Sequence, residues 1–203
     1  MASERTGHEG SARLEAFSDA IFAIVTTLLV LDLKLSPLAN GVLTQELENH
    51  WPSFLAFVTS FMTILIMWMN HSYVFNQIKR TDTRLMFLNG FLLLFVTLTP
   101  FTTSIVAHSI LSSDANVAAA IYSGCFLLLS ATWNILWRYA SSGRRFLMQS
   151  ILDDQVKAIT FRCNLGLVFY LLALMVSFFS GLAAVAAIVT ISGFWAVSTA
   201  ISK

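Results

Sequence analysis

Few residues of this chain could do chemistry, and most of them interrupt long apolar runs. Ser18 and Asp19 break the stretch RLEAFSDAIFAIVTTLLVLDLKL, residues 13–35. Asn70 and His71 break a second run, Asn89 opens a third, Asn134 lies a turn before Arg138 in a fourth, and Asn164 opens a fifth. An ionisable group at membrane depth is costly unless it has a partner or a water-filled cavity. A carboxylate, an imidazole and several amides at one level can satisfy one another across helices. Three chemistries fit such a band. It is a packing clamp that fixes helix register, a proton relay through Asp19 and His71, or a substrate or ion site.

Other constellations lead away from catalysis. His8, His50 and His108 have no partner at metal-ligand spacing. No GxSxG, HExxH, Gly-rich phosphate loop or pair of carboxylates in one span occurs, so neither an enzyme, a metal centre nor a cofactor is expected. No TVGYG filter sequence is present either. Cys125 and Cys163 lie in or beside apolar segments without CxxC spacing and read as small buried hydrophobes. Thr97, Thr99, Thr102 and Thr103 surround Pro100, where their hydroxyls could take up carbonyls freed by a proline kink.

The elements that must position these groups follow from composition. The chain is 57% hydrophobic and 11% charged, with a mean hydropathy of +0.74. A soluble domain is about a quarter charged, so this is a single-domain integral membrane protein, 1–203, and not a nucleic-acid binder. A membrane helix needs roughly 20 apolar residues. Six spans are expected, at about 16–35, 52–76, 85–108, 117–139, 160–179 and 182–201. Pro52 suits a first helical turn, and the last two spans part at Ser180-Gly181 because one helix could not hold so long an uncharged run. The polar first dozen residues show no cleavable signal peptide.

Loop charge sets the orientation. With the N-terminus inside, eleven of the 12 basic residues face the cytoplasm and only Lys34 faces outward. Both termini are then cytoplasmic, in a multi-pass protein of the cell membrane. The outer loop 36–51 could carry a short interfacial helix with Leu43 and Leu47 on one face. The inner loop 140–158 reads as a solvated connection or a lipid-headgroup contact.

At about 100° per residue, Phe17, Ala20, Ile24, Leu28, Leu31 and Leu35 form one stripe on the first helix. Thr27 lies roughly 60° from Ile24, facing either with the stripe or toward an adjoining helix. Ser18 and Asp19 point away, toward neighbouring helices. Arg13 and Asp19 are on different faces and each needs a partner elsewhere. An apolar stripe alone does not distinguish a pore from lipid or core contact.

The string Arg13-x-x-x-Phe17-Ser18-Asp19 at the start of a first span resembles the signature of the endolysosomal potassium channel family, transmembrane protein 175 and its bacterial homologues. A single six-span unit resembles the bacterial form. The resemblance implies a homotetramer in which four first helices line a potassium-permeable pore without the usual filter. It implies an apolar constriction narrowest at Ile24, with Leu28 and Leu31 as further rings and Thr27 as a pore hydroxyl. It also implies that the motif residues Arg13, Phe17, Ser18 and Asp19 brace the pore helix; the contact expected here is Asp19 with His71, with Asn89 and Asn134 as further partners. Potassium and related monovalent cations are the permeant species. The alternative reading is a small proton-coupled transporter using Asp19 and His71, although no internal repeat of three spans accompanies them.

Overall fold

A computed structural model describes residues 2–33, 44, 47–48, 50–144 and 146–201. Lys34, Arg145 and Lys203, which entered the orientation count, lie outside the described residues, as does most of the outer loop with Leu43. The chain forms six long helices. They are α1 (Ala2–Leu28), continued by a 3-10 turn over Leu29–Asp32, α2 (Trp51–Phe75) and α3 (Thr83–Ser109), then α4 (Ala115–Ser141), α5 (Asp153–Ser177) and α6 (Gly181–Ile201). All six are long and apolar enough to cross a membrane. The all-α, six-span architecture expected from hydropathy is therefore present.

The ends differ from expectation where polar residues extend a helix beyond its apolar part. α1 begins at Ala2 rather than near Ala16, since nothing in the segment before Leu14 is a proline that would stop it. α5 begins at Asp153 rather than near Thr160. Asp153 and Asp154 occupy its first turn, where carboxylates suit the positive helix end, and the Gln155 side chain accepts from the Leu152 N–H at 3.0 Å. At α3 the Asp82 carboxylate accepts from the Leu85 N–H at 2.8 Å and fixes the start at Thr83.

The turn between α5 and α6 falls at Ser180-Gly181 for a steric reason. A Cβ at residue 181 would collide with the Ala115 carbonyl at the start of α4, while the Gly181 N–H donates to Asn116 Oδ1 at 2.7 Å. Glycine lets two helix ends meet there.

Packing is uneven. α4 lies against α3, α5 and α6 and forms the middle of the bundle, whereas among the described helices α1 packs only on α2 and α3. One buried cluster joins Phe22 and Val25 of α1 to Ile64, Leu85, Leu92, Trp133 and Trp137 on α2–α4. A second, toward the other end, holds Val106, Tyr122, Phe126, Tyr170 and Ile188. Both cysteines are buried free thiols.

The loops at the terminal end, 76–82 and 142–152, are joined to each other. Ile78 and Leu147 form an antiparallel bridge, with Lys79 N–H to Phe146 O at 2.9 Å and Met148 N–H to Gln77 O at 2.8 Å. Phe146, Leu147 and Ile151 are buried. Tyr139 donates to Asp82 Oδ2 at 2.6 Å, and Arg144 pairs with Asp153 at 2.9 Å. The reading of this segment as a plain solvated connection is thus corrected: apolar residues and paired main chain hold it as a clasp. α4 ends against it through Gly143 and Arg144, both in the left-handed region.

Candidate functional site

α1 divides into two faces. Ser11, Leu14, Ser18, Phe22, Val25 and Leu29 recur every three or four residues and are buried against α2 and α3. The opposite face carries Phe17, Ala20, Ile24, Thr27, Leu28 and Leu31, all exposed on the single chain. Ile24 and Leu31 are 57% and 56% exposed, although each is a large aliphatic residue within the first membrane span. Arg13 is exposed as well. Thr27 lies with the stripe rather than against the adjoining helices. Its hydroxyl donates to the Ile24 carbonyl at 2.7 Å, and Thr26 donates to Ala23 O at 2.8 Å. The helix tightens into its 3-10 turn immediately afterwards.

The buried face is tied down by a chain of side chains across three helices. The Ser18 hydroxyl donates to Leu14 O at 2.9 Å, so it accepts from Asn89 Nδ2 at 2.9 Å. The amide orientation this fixes leaves Asn89 Oδ1 as acceptor for His71 Nε2–H, at 2.9 Å. Ser18, His71 and Asn89 are all completely buried. The imidazole stacks on Phe75 with centroids 4.1 Å apart and meets the Phe22 ring edge-on at 5.4 Å. With the proton on Nε2, Nδ1 presents only a lone pair, and it has no partner among the described residues.

Asp19 is not part of that chain. The expected Asp19–His71 contact is replaced by a bond from Trp68 Nε1 to Asp19 Oδ1 at 2.9 Å. Ser72 donates to Glu15 at 3.1 Å one turn away. The reason is angular: residues 15 and 19 share an edge of α1, and 68 and 72 share the facing edge of antiparallel α2. His71 lies about 60° or more from both of its neighbours on that edge and looks into the bundle toward α3. Glu15, Trp68 and Ser72 were missed from sequence, although their matched i,i+4 spacing was a usable signal. A relay through Asp19 and His71 finds no direct link here.

Asn134 belongs to a separate brace. It donates to Asn164 Oδ1 at 2.9 Å and accepts from Arg138 Nε at 2.6 Å, joining α4 to α5 away from α1. The expected band of polar groups is therefore three distinct links, Glu15/Asp19 with Ser72/Trp68, Ser18–Asn89–His71, and Asn134–Asn164–Arg138, and Asn70, expected in it, bonds to no other described residue.

The threonines beside Pro100 donate to Leu94, Phe95 and Thr99 carbonyls. Thr103 also meets Ser60 at 2.7 Å, which in turn meets Tyr122 at 2.7 Å, a buried hydroxyl network across α2–α4. No group of three or more metal-ligating side chains occurs among the described residues.

Comparison with known proteins agrees with this architecture. The family model of the endosomal/lysosomal potassium channel TMEM175 matches residues 13–100, the segment that holds the apolar part of α1 and both partners of Ser18. A potassium channel of Chamaesiphon minutus is 42% identical over 173 residues, 84% of this chain and 85% of the relative. A potassium channel of Streptomyces collinus is 38% identical and covers 84% of each chain. The crystal structure of a lysosomal potassium-selective channel TMEM175 homolog from Chamaesiphon minutus superposes with a TM-score of 0.85 at 38% identity. It covers 93% of this chain and 97% of that one.

Proposed function

The chain belongs to the TMEM175 family of cation channels, and from that premise we propose that it conducts potassium passively through a pore lined by α1. It is a multi-pass protein of the cell membrane and not an enzyme. In the proposed assembly four copies of the chain surround one axis, with both termini in the cytoplasm. The observation that carries this reading is the division of α1. Glu15, Ser18 and Asp19 are bonded inward to α2 and α3, and the exposed apolar side chains of Ile24, Leu28 and Leu31 on the other face pack against nothing else among the described residues. The excess of basic residues in the loops on the terminal side supports the orientation.

Ile24 to Leu31 spans about 10 Å of helix, enough for a constriction several water diameters long. Rings of Ile and Leu exclude water when narrow, and a small widening admits partly dehydrated cations. Thr27 adds a specific contribution. Because its proton is committed to the Ile24 carbonyl, its oxygen lone pairs face the open side and can replace part of a cation's hydration. Without a cage of carbonyls the preference for potassium over sodium is modest. Purified protein in a planar bilayer, with reversal potentials in opposed potassium and sodium gradients, tests this. A reversal potential that favours potassium is expected. Current that is equal for lithium, sodium and potassium, or no current at all, would refute the reading.

A further inference from the structure

A cleft of about 110 Å³ opens between α2, α4, α5 and α6, away from the free face of α1. Ile66, Met67, Trp133, Tyr170 and Trp195 supply its apolar walls. Its floor at Gly166 is open because that residue has no side chain. A Cβ there would stand 3.3 Å from Ser130 Oγ and 3.6 Å from the Trp195 ring. On α2 the cleft runs from Tyr73 to Thr63, ten residues or about 15 Å of helix. That is half the roughly 30 Å thickness of the bilayer core, the depth of one leaflet.

The end of the cleft nearer the termini is charged. Arg162 lines it and is the last charged residue before the apolar run of α5. Among the described residues Arg162 has no ion pair and no hydrogen bond. The contrast with Arg138 is direct, since that guanidinium is held by Asn134 and Asn164. Asn70 also lines the cleft and likewise bonds to no described residue. A half-buried guanidinium at the edge of the hydrocarbon, beside an unpaired amide and without a carboxylate, calls for an anion. Below it the lining is mainly apolar, with the hydroxyls of Thr63, Ser130 and Ser192 bonded or set among Ile66, Met67, Leu129, Trp133 and Trp195.

We propose that this cleft binds one anionic glycerophospholipid, its phosphate on Arg162 and Asn70 and one acyl chain along Ile66, Met67 and Trp133 over Gly166. The charge, the apolar walls and the one-leaflet length all match such a molecule, and the bilayer supplies it at high local concentration. A planar, five-donor guanidinium suits phosphate better than an ammonium would. The site is separate from the conduction reading, because none of its lining residues lies on α1.

Native mass spectrometry of the full-length protein in mixed micelles tests it, with phosphatidylglycerol compared against phosphatidylcholine of the same chain length. Retained phosphatidylglycerol is expected, with about fivefold or more weaker retention in Arg162→Gln and no change in the control Lys157→Gln. Gly166→Leu, which fills the floor, should weaken both lipids alike. Because Arg162 holds no other element in place, its variant leaves the fold intact, which unfolding midpoints check. Equal retention of the two lipids by the parent, or undiminished phosphatidylglycerol in Arg162→Gln, would overturn the proposal. So would displacement by soluble glycerol phosphate, or cross-linking of Met67→Cys to a second copy of the chain.

Discussion

Replacing Asn89 with Leu removes the centre of the link between α1, α2 and α3, and its cost follows from what is left behind. Ser18 keeps its bond to Leu14 O and loses only an incoming donor. His71 loses more. Its Nε2–H has Asn89 as partner and its Nδ1 has none among the described residues, so the whole imidazole becomes unpaired in a completely buried site. An orphaned buried donor costs about 1–3 kcal/mol. Hydrogen bonds between membrane helices average only about 0.6 kcal/mol, with a maximum near 1.7, because the unfolded chain in a membrane also finds partners. Full burial and the bare Nδ1 place this case toward the upper end, about 2 kcal/mol. His71→Phe alone leaves the Asn89 oxygen unpaired and should cost about 1–2 kcal/mol. Together the two substitutions orphan no polar group, and a Phe ring keeps the stack on Phe75 and the edge contact with Phe22. The double variant should therefore be more stable than the sum of the singles by about 2 kcal/mol. Unfolding midpoints in graded SDS–lipid micelles give the cycle, and potassium flux from liposomes gives the function. Additivity within about 0.5 kcal/mol would refute the link as drawn. A stable double variant that no longer passes potassium, or that loses only a proton-coupled flux, would return His71 to the transport path.

Ile24→Asn puts an amide into the proposed constriction and should raise leak current and narrow the potassium–sodium difference; an unchanged reversal potential removes Ile24 from it. Asp19→Ala loses the bond from Trp68, which is 38% exposed, and should lower the midpoint by about 1 kcal/mol. Asp19→Asn keeps an acceptor oxygen and should retain most of that stability, so equal damage from both would point to a role for the charge. Gly181→Ala should cost about 1–3 kcal/mol because main chain of α4 must move. Gly193→Ala meets nothing within 4 Å and should be neutral or slightly stabilising by the same thermal measurement. Tyr139→Phe removes the bond to Asp82 and should cost about 1 kcal/mol while α3 keeps its cap at Leu85.

The six helices were legible because a membrane demands long apolar runs, and the α5–α6 break because an uncharged stretch of that length cannot be one helix. That most polar groups in successive helices would meet was legible too, since leaving one unpaired at that depth is costly. Their partners were not. Periodicity gives the angle of a side chain about its own helix, but not which neighbour lies at that angle. Asp19 and His71 looked matched by chemistry, yet Asp19 sits on the edge that faces Trp68 and Ser72, and His71 sits under α3. The Gln77–Lys79 clasp had no side-chain signature because its bonds are main chain to main chain.

The placement of α1 at the margin of the bundle constrains how the proposed pore can work. A helix in contact with only two others must be held by few, strong links, and α1 has its carboxylates and Ser18 bonded to α2 and α3. Those bonds orient it about its axis, since rotating the helix by one residue, 100°, would break all of them together. The orientation so fixed brings Ile24, Leu28 and Leu31 to the free side, where none of the other described residues covers them. In the proposed pore the polar residues act on conduction without touching an ion: they set the angle of the apolar ones. It follows that weakening one brace should broaden the range of conductance levels before it abolishes current, because a loosened helix presents neighbouring side chains, Thr27 among them, in place of Ile24.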